Sequence, residues 1–266
     1  MYSFSYVKAN SLEEVNRFLA ANPEARPLAG GMTLIPTLKA RLAQPSHLVD
    51  ISGLEELKGI EATSGKLAIG AGTRHVEVAR SAHVRGAIPA LAELAERIGD
   101  PAVRNCGTIG GSVANNDPAA DYPAAVLALG ATITTSKREI AADDFFQGMF
   151  TTALEPGELI VRISFPVPKR SAYQKFAHPA SGYAMTGVFV ADTGSGVRVA
   201  VTGAGPGVFR WTAAEAALGQ KFSAGALAGL SVPADEMNQD IHGSREYRAN
   251  LVSVMTRRAV AQIAGR

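Results

Sequence analysis

The chain has 266 residues, with 26 Lys and Arg against 24 Asp and Glu and a formal net charge of +2. Hydrophobic residues at 47% and charged residues at 19% are the proportions of a folded protein. They exclude disorder, and so small a positive surplus excludes nucleic-acid binding through bulk charge. A single cysteine excludes an intramolecular disulfide and any cysteine-ligated zinc or iron–sulfur site within the chain.

Met1 to Asn10 carries one lysine and no apolar stretch, so it does not read as a signal peptide. No uncharged apolar run reaches the roughly 18 residues of a membrane span. The nearest, Pro118–Thr135, is broken by Asp121, Pro123 and Gly130. A soluble cytoplasmic protein, long enough for one large or two modest domains, is the expectation.

In chain order, Ser11 followed by Glu13-Glu14 reads as an N-cap and first turn, with Leu12, Val15, Phe18 and Leu19 at helical spacing. Arg26–Ala29 reads as a short strand broken by Gly30-Gly31. Thr33 then opens a helix with Leu34, Leu38 and Leu42 on one face, and Leu48–Ile51 is a further strand. Lys66–Ile69 is a strand turned by Gly70-Ala71-Gly72, after which Thr73 caps a helix bearing Val76, Val78 and Ala79. Ile88–Ile98 reads as helix, Gly99–Tyr122 as an open glycine- and asparagine-rich stretch, Pro123–Leu129 as helix, and Ala131–Thr135 and Leu159–Phe165 as strands. Val167–Ser171 reads as a linker. Beyond it come strands at Ala172–Phe176, Ala184–Ala191 and Val197–Val201, and helices at Thr212–Leu218, Ala224–Leu230 and Tyr247–Ile263.

Two glycine-rich loops carry the candidate chemistry. Ala29-Gly30-Gly31-Met32-Thr33 joins a strand to a helix. Successive glycines let neighbouring backbone N–H groups converge on an anion, and a helix N-terminus adds partial positive charge. The competing reading is a tight turn that needs glycine for positive φ. Thr108-Ile109-Gly110-Gly111-Ser112, followed by Asn115, repeats the pattern, and a pair of such loops suits a diphosphate held from two sides. Asp121 is placed to accept hydrogen bonds from ribityl or ribose hydroxyls, or to compensate a helix N-terminus. Gly203-Ala204-Gly205-Pro206-Gly207 fails the dinucleotide spacing at Val208 and reads as a turn. The histidines (His47, His75, His83, His178 and His242) show no i, i+4 pair and read as surface or capping residues, and Cys106 reads as a small hydrophobe.

Ala29–Thr33, together with Asp100-Pro101-Ala102-Val103-Arg104-Asn105-Cys106-Gly107-Thr108-Ile109-Gly110-Gly111-Ser112 and the downstream Asp117-Pro118-Ala119-Ala120-Asp121, resembles the FAD-binding medium subunits of molybdenum hydroxylases. These are the medium chains of aerobic carbon monoxide dehydrogenases and the FAD module of xanthine dehydrogenases. The likeness runs through nearly the whole chain, including Leu159–Pro166, Tyr173–Phe176 and Asp240–Arg248.

The resemblance implies an α+β fold. A two-subdomain FAD-binding domain of the PCMH type would span residues 1–168, divided at about residue 53, and a small α/β C-terminal domain would span 172–266. It implies FAD held by Ala29, Gly30, Gly31, Met32 and Thr33 and by Thr108, Ile109, Gly110, Gly111 and Ser112. Thr73, Asn115 and Asp121 would lie near the ribityl and nucleotide parts, Ile98 and Ile160 would pack near the flavin ring, and Lys175 would lie close to it. It implies no catalytic side chain and no metal in this chain, because the flavin is the reacting group. It implies a molybdopterin cofactor and [2Fe–2S] clusters on a large and a small partner subunit, in a dimer of heterotrimers. Met32, His178-Pro179 and Gly182 depart from residues common in such relatives. The readings weighed against this one are a non-redox scaffold or nucleotide-binding module that kept the fold, and a stand-alone flavin oxidase.

Overall fold

The structure is a computed structural model that describes residues 1–265. A three-stranded parallel sheet opens the chain, with His47–Asp50 between Ser5–Lys8 and Arg26–Leu28. The helix Leu12–Ala21 covers it. Ser11 caps that helix by accepting the Glu14 amide, and Val15 and Leu19 are buried against Ala25, Val49, Leu57 and Leu159. The helix after the first glycine pair spans only Leu34–Lys39. Arg41 turns to a left-handed φ of 59° and ends it, so Leu42, expected on its apolar face, lies beyond it and is 79% exposed.

A five-stranded antiparallel sheet follows, ordered Ile60–Thr63, Lys66–Gly70, Ile160–Pro166, Thr132–Thr135, Glu139–Ala141. The last strand to be made, Ile160–Pro166, occupies the centre, so this module closes only when residue 166 is in place. The helices Pro89–Glu96 and Tyr122–Ala128 belong to its core, and every residue of the second is buried. The glycine- and asparagine-rich stretch between residues 99 and 122 contains two short helices, Pro101–Cys106 and Ile109–Asn115. Their caps, Asp100 and Thr108, accept the amides of Val103 and Gly111. Thr73 does not cap a helix. That helix runs His75–Arg80, and Glu77 caps it by accepting the Arg74 amide.

The remaining strands form an antiparallel meander, Arg170–Ala177, Ala184–Asp192, Val197–Thr202 and Phe209–Arg210. Ala184–Ala191 is buried throughout because both faces of the strand are covered, one by the helix Arg245–Ala264 and the other by Tyr122–Ala128. The run Gly203–Gly207 is the turn between the last two strands, with Gly203 at φ +80°. The expected helix at Ala224–Leu230 is a single 3-10 turn, Ala224–Leu227.

One buried polar knot joins the meander to the helix Tyr122–Ala128. Lys175 Nζ lies 2.9 Å from Asp121 Oδ1 and 3.1 Å from Oδ2, and it donates to the Arg97 carbonyl at 2.9 Å. Tyr173 donates its hydroxyl to Asp121, and Arg97 Nη2 returns a bond to the Lys175 carbonyl at 3.0 Å. Burial pushes the Asp121 carboxyl up, while Lys175, Tyr173 and Arg97 pull it down. Replacing Lys175 with Met leaves that carboxylate buried against a hydroxyl alone, so a loss of about 3–5 kcal/mol is expected from the urea midpoint. An unchanged midpoint would mean that Asp121 is held as the neutral acid.

Candidate functional site

Both glycine loops open onto one cleft of about 690 Å³, lined by segments that connect strands of the parallel sheet, the five-stranded sheet and the meander. The loops touch. A Cβ placed on Gly30 would fall inside the Cys106 carbonyl and lie 2.8 Å from the Gly107 Cα, so only glycine lets the first loop seat against the second. Gly31 takes φ +70°, a conformation natural to glycine. The turn and anion-cradle readings of this loop are therefore not alternatives. The turn exposes a run of amides: among the described residues, the N–H groups of Gly30, Gly31, Met32, Thr33 and Leu34 find no acceptor. Consecutive unpaired donors facing a cleft are the donor set of an anion site.

The second loop differs. Its amides are already engaged: Ile109 donates to the Thr73 carbonyl at 3.0 Å, Gly110 to the Ala71 carbonyl at 2.9 Å, Gly111 to Thr108 Oγ1 at 3.1 Å, and Ser112 to the Thr108 carbonyl at 3.0 Å. It is the first turn of a helix packed tightly on residues 71–73. Gly110 has no positive φ; what excludes a side chain there is Ala71, whose carbonyl oxygen would be 2.7 Å from a Cβ. The expected symmetric pair of nests is thus one nest of free amides and one wall, the latter offering Ser112 and Asn115.

Ala29, Gly30, Gly31, Met32, Thr33, Ile98, Thr108, Gly110, Gly111, Ser112, Asn115, Asp121 and Ile160 all line the cleft. Thr73, Ile109 and Lys175 stand behind it. Thr73 is buried and donates its hydroxyl to the Gly59 carbonyl at 3.3 Å, Ile109 is fully buried in the core, and Lys175 has its ammonium committed to Asp121 and Arg97. These three position the wall rather than face a ligand. Asp121 reaches the cleft, but both of its oxygens already meet Lys175 or Tyr173.

Sequence reasoning misses His75, which also lines the cleft, as do Cys106, whose place beside the second loop left a weak reading as a cofactor contact, and Tyr183, near the Gly182 departure. Cys106 is exposed rather than buried. Tyr183 is carried on a turn in which Gly182 has φ +71°, so the departure at Gly182 has a backbone reason. His75 is the first residue after a strand–glycine–helix junction, the one local signal that could have marked it. Its ring stacks at 5.4 Å on Tyr122, its Nδ1 is buried without a partner, and a Cβ on Gly107 would lie 2.6 Å from its Nε2. Burial, helped by the Arg104 cation, lowers its pKa from 6.5 to about 4 and keeps the ring neutral.

Residues 2–168 match the family model described as the FAD binding domain in molybdopterin dehydrogenase, and residues 169–263 match the CO dehydrogenase flavoprotein C-terminal domain. The chain is 37% identical to the glyceraldehyde dehydrogenase medium chain of Sulfolobus acidocaldarius, over 98% of each chain. It is 35% identical to the carbon monoxide dehydrogenase medium chain of Afipia carboxidovorans, over 99% of this chain and 98% of that one. Among solved structures it is similar to a chain of quinoline 2-oxidoreductase from Pseudomonas putida 86, with a TM-score of 0.89 and 32% identity over 99% of this chain and 98% of that chain. Among the described residues, no helix is long and apolar enough to cross a membrane.

The neutrality of His75 has a thermodynamic consequence. Between pH 6.5 and about 4 the unfolded chain binds a proton at this position and the folded chain does not, so stability falls on acidification through that window. The contribution is on the order of 3 kcal/mol. Urea unfolding at pH 7 and pH 4.5 is expected to show a larger loss in the parent than in His75→Gln, which has no proton to bind. Equal losses would show that the ring is accessible and charged in the native state.

Proposed function

Because the chain belongs to the family of FAD-binding domains in molybdopterin dehydrogenases, with the flavoprotein C-terminal domain of CO dehydrogenases, we propose that it is the electron-transferring FAD subunit of a molybdenum hydroxylase. The observation that carries this reading is the run of unpartnered amides from Gly30 to Leu34 at the mouth of the shared cleft. The residues present fit the cofactor. The amide run supplies donors for a diphosphate. Ser112 and Asn115 supply polar groups along the second wall, and Ile98, Leu159 and Ile160 supply an apolar wall for a planar ring system. When bound, FAD supplies a centre that exchanges electrons singly or in pairs. The chain's own part is to hold and orient that group: Gly30 seats the amide run, Thr108 and residues 71–73 brace the facing wall, and the apolar side chains keep water from one end of the cleft. No side chain is assigned an acid, base or nucleophilic role.

The partner arrangement is part of the proposal. One cysteine cannot ligate [2Fe–2S] clusters. The similar chains are named as medium chains or as subunits, and they come from dehydrogenases of substrates as unlike as glyceraldehyde and carbon monoxide. Likeness to chains from enzymes of such varied substrates supports substrate choice on another polypeptide. We therefore assign electron entry to [2Fe–2S] clusters on a small subunit, substrate oxidation to a molybdopterin-bearing large subunit, and the assembly to a dimer of heterotrimers in the cytoplasm. The functional division of this chain is placed at about residue 168, with subdomains meeting near residue 53.

The purified chain supplied with FAD is expected to retain it stoichiometrically, with the visible bands of a flavoprotein. Gly30→Ala forces the first loop off Cys106 and should weaken FAD at least tenfold, about 1.4 kcal/mol, read by flavin fluorescence titration. A chain that takes up no FAD overturns the reading. Substrate added to the complete assembly should bleach the bound flavin, and a flavin that stays oxidised there removes the electron-transfer role.

A further inference from the structure

Tyr183 reaches the cleft on a turn that two histidines pin, although neither histidine lines the cleft. The His178 amide donates to the Tyr183 carbonyl at 2.8 Å, and the His178 carbonyl accepts the Gly182 amide at 2.9 Å, which closes the turn. His178 Nδ1 accepts the amides of Ala180 at 3.2 Å and Ser181 at 3.3 Å. A ring nitrogen that accepts two N–H groups carries no proton, so the proton of the neutral ring is on Nε2. That atom lies 3.1 Å from His242 Nδ1, with the rings edge to face at 4.4 Å. His178 therefore donates, His242 Nδ1 accepts, and the His242 proton sits on its own Nε2. His242 is held in turn by its amide, which donates to Asp240 Oδ1 at 2.8 Å, while Asp240 Oδ2 takes Arg248 Nη2 at 2.6 Å. The buried Arg248 is anchored on the carbonyls of Met185 and Gly203. An unbroken series of contacts runs from the C-terminal helix to the turn that presents Tyr183.

We propose that His178 and His242 are positioning residues, a latch that holds Tyr183 over the cleft while both rings are neutral and releases it when either ring is protonated. The proposal rests on the cleft being the FAD site. A proton on His178 Nδ1 turns the acceptor of two amides into a donor facing them. A proton on His242 Nδ1 sets N–H against N–H. Imidazole is the side chain that changes charge between pH 5 and 8. The groups facing the pair are Asp240 with its partner Arg248, Tyr247 beside Gly243, and Tyr183 itself. Burial, then Asp117, Asp121 and Asp100, raise the Tyr183 phenol above its usual value, so Tyr183 does not titrate in this range. A metal ion bridging the two rings is the competing idea. It conflicts with the use of His178 Nδ1 as an acceptor, and among the described residues no group of three or more His, Cys, Asp or Glu is placed to hold a metal.

The test uses the full chain loaded with FAD and the neutral quencher acrylamide. Flavin quenching should rise at least threefold from pH 8 to pH 5.5 in the parent. His242→Ala, at an exposed position, should show the high value already at pH 8 with a flat profile, and Tyr183→Ala should behave the same way. A flat parent profile, or a His242→Ala profile that keeps the parent's rise, overturns the latch. Long-range ¹H–¹⁵N spectra of the chain without FAD should show unprotonated Nδ1 and protonated Nε2 on both rings at pH 8, and the opposite tautomer on His178 overturns it as well. Failure to take up FAD would refute the site reading, while the tautomer experiment still decides the latch.

Discussion

The approach of Gly30 to the Cys106–Gly107 backbone is the contact on which the cleft depends. A Cβ at residue 30 has no room there, and the loop can seat only as glycine. Once seated, the chain passes from the end of a parallel strand into a helix without giving five successive amides an acceptor. These five amides sit on half-buried or exposed residues at the cleft mouth, where an acceptor from outside the chain can reach them. On the proposed reading, a diphosphate is the acceptor that completes them. The close contact also ties the two halves of the site together, because a shift of either loop moves both.

The two glycine loops look alike as strings and differ as structures. Gly30-Gly31 leaves its amides open, whereas Gly110-Gly111 begins a helix whose first amides are bonded to residues 71, 73 and 108. The difference is set by what lies behind each loop. The first rests on another loop by its Cα atoms. The second is pressed against the turn Gly70–Thr73, whose carbonyls point at it, and Ala71 leaves no space for a side chain at Gly110. Composition reports that glycine is required, but it does not distinguish a requirement for open amides from one for close packing. That depends on long-range neighbours the local sequence does not name.

The same limit explains which parts of the fold and site were legible. Strands with strong apolar alternation or runs, such as Leu159–Phe165 and Ala184–Ala191, and the capped helix after Ser11 were readable because burial and capping act locally. The short helices Pro101–Cys106 and Ile109–Asn115 were hidden by glycine and asparagine content that tertiary contacts override. At the site, motif matching put Thr73, Ile109 and Lys175 beside the ligand, and the structure puts them one layer back. Lys175 is the instructive case. Its charge is committed to Asp121 across a domain seam, a partner 54 residues away that no local pattern reveals. His75 was invisible for the opposite reason, as a residue of ordinary type brought to the cleft by a helix start.

The seam also bears on how such a chain serves many chemistries. The cleft is walled by the first two modules, and the meander reaches it at Tyr183 while being tied to them by the Lys175–Asp121–Tyr173 knot and by Arg198, which donates to the Leu127 carbonyl at 2.8 Å and pairs with Asp143 at 2.6 Å. Rigid ties at the buried side and a hydrogen-bonded turn at the open side mean that one edge of the cleft can move without disturbing the amide run. Nothing in that arrangement recognises an organic substrate or a gas. On the proposed reading its polar groups address a diphosphate and its apolar walls a flat ring. On that reading such a chain is indifferent to what is oxidised elsewhere, in keeping with its likeness to the medium chains of glyceraldehyde and carbon monoxide dehydrogenases and to a chain of quinoline 2-oxidoreductase.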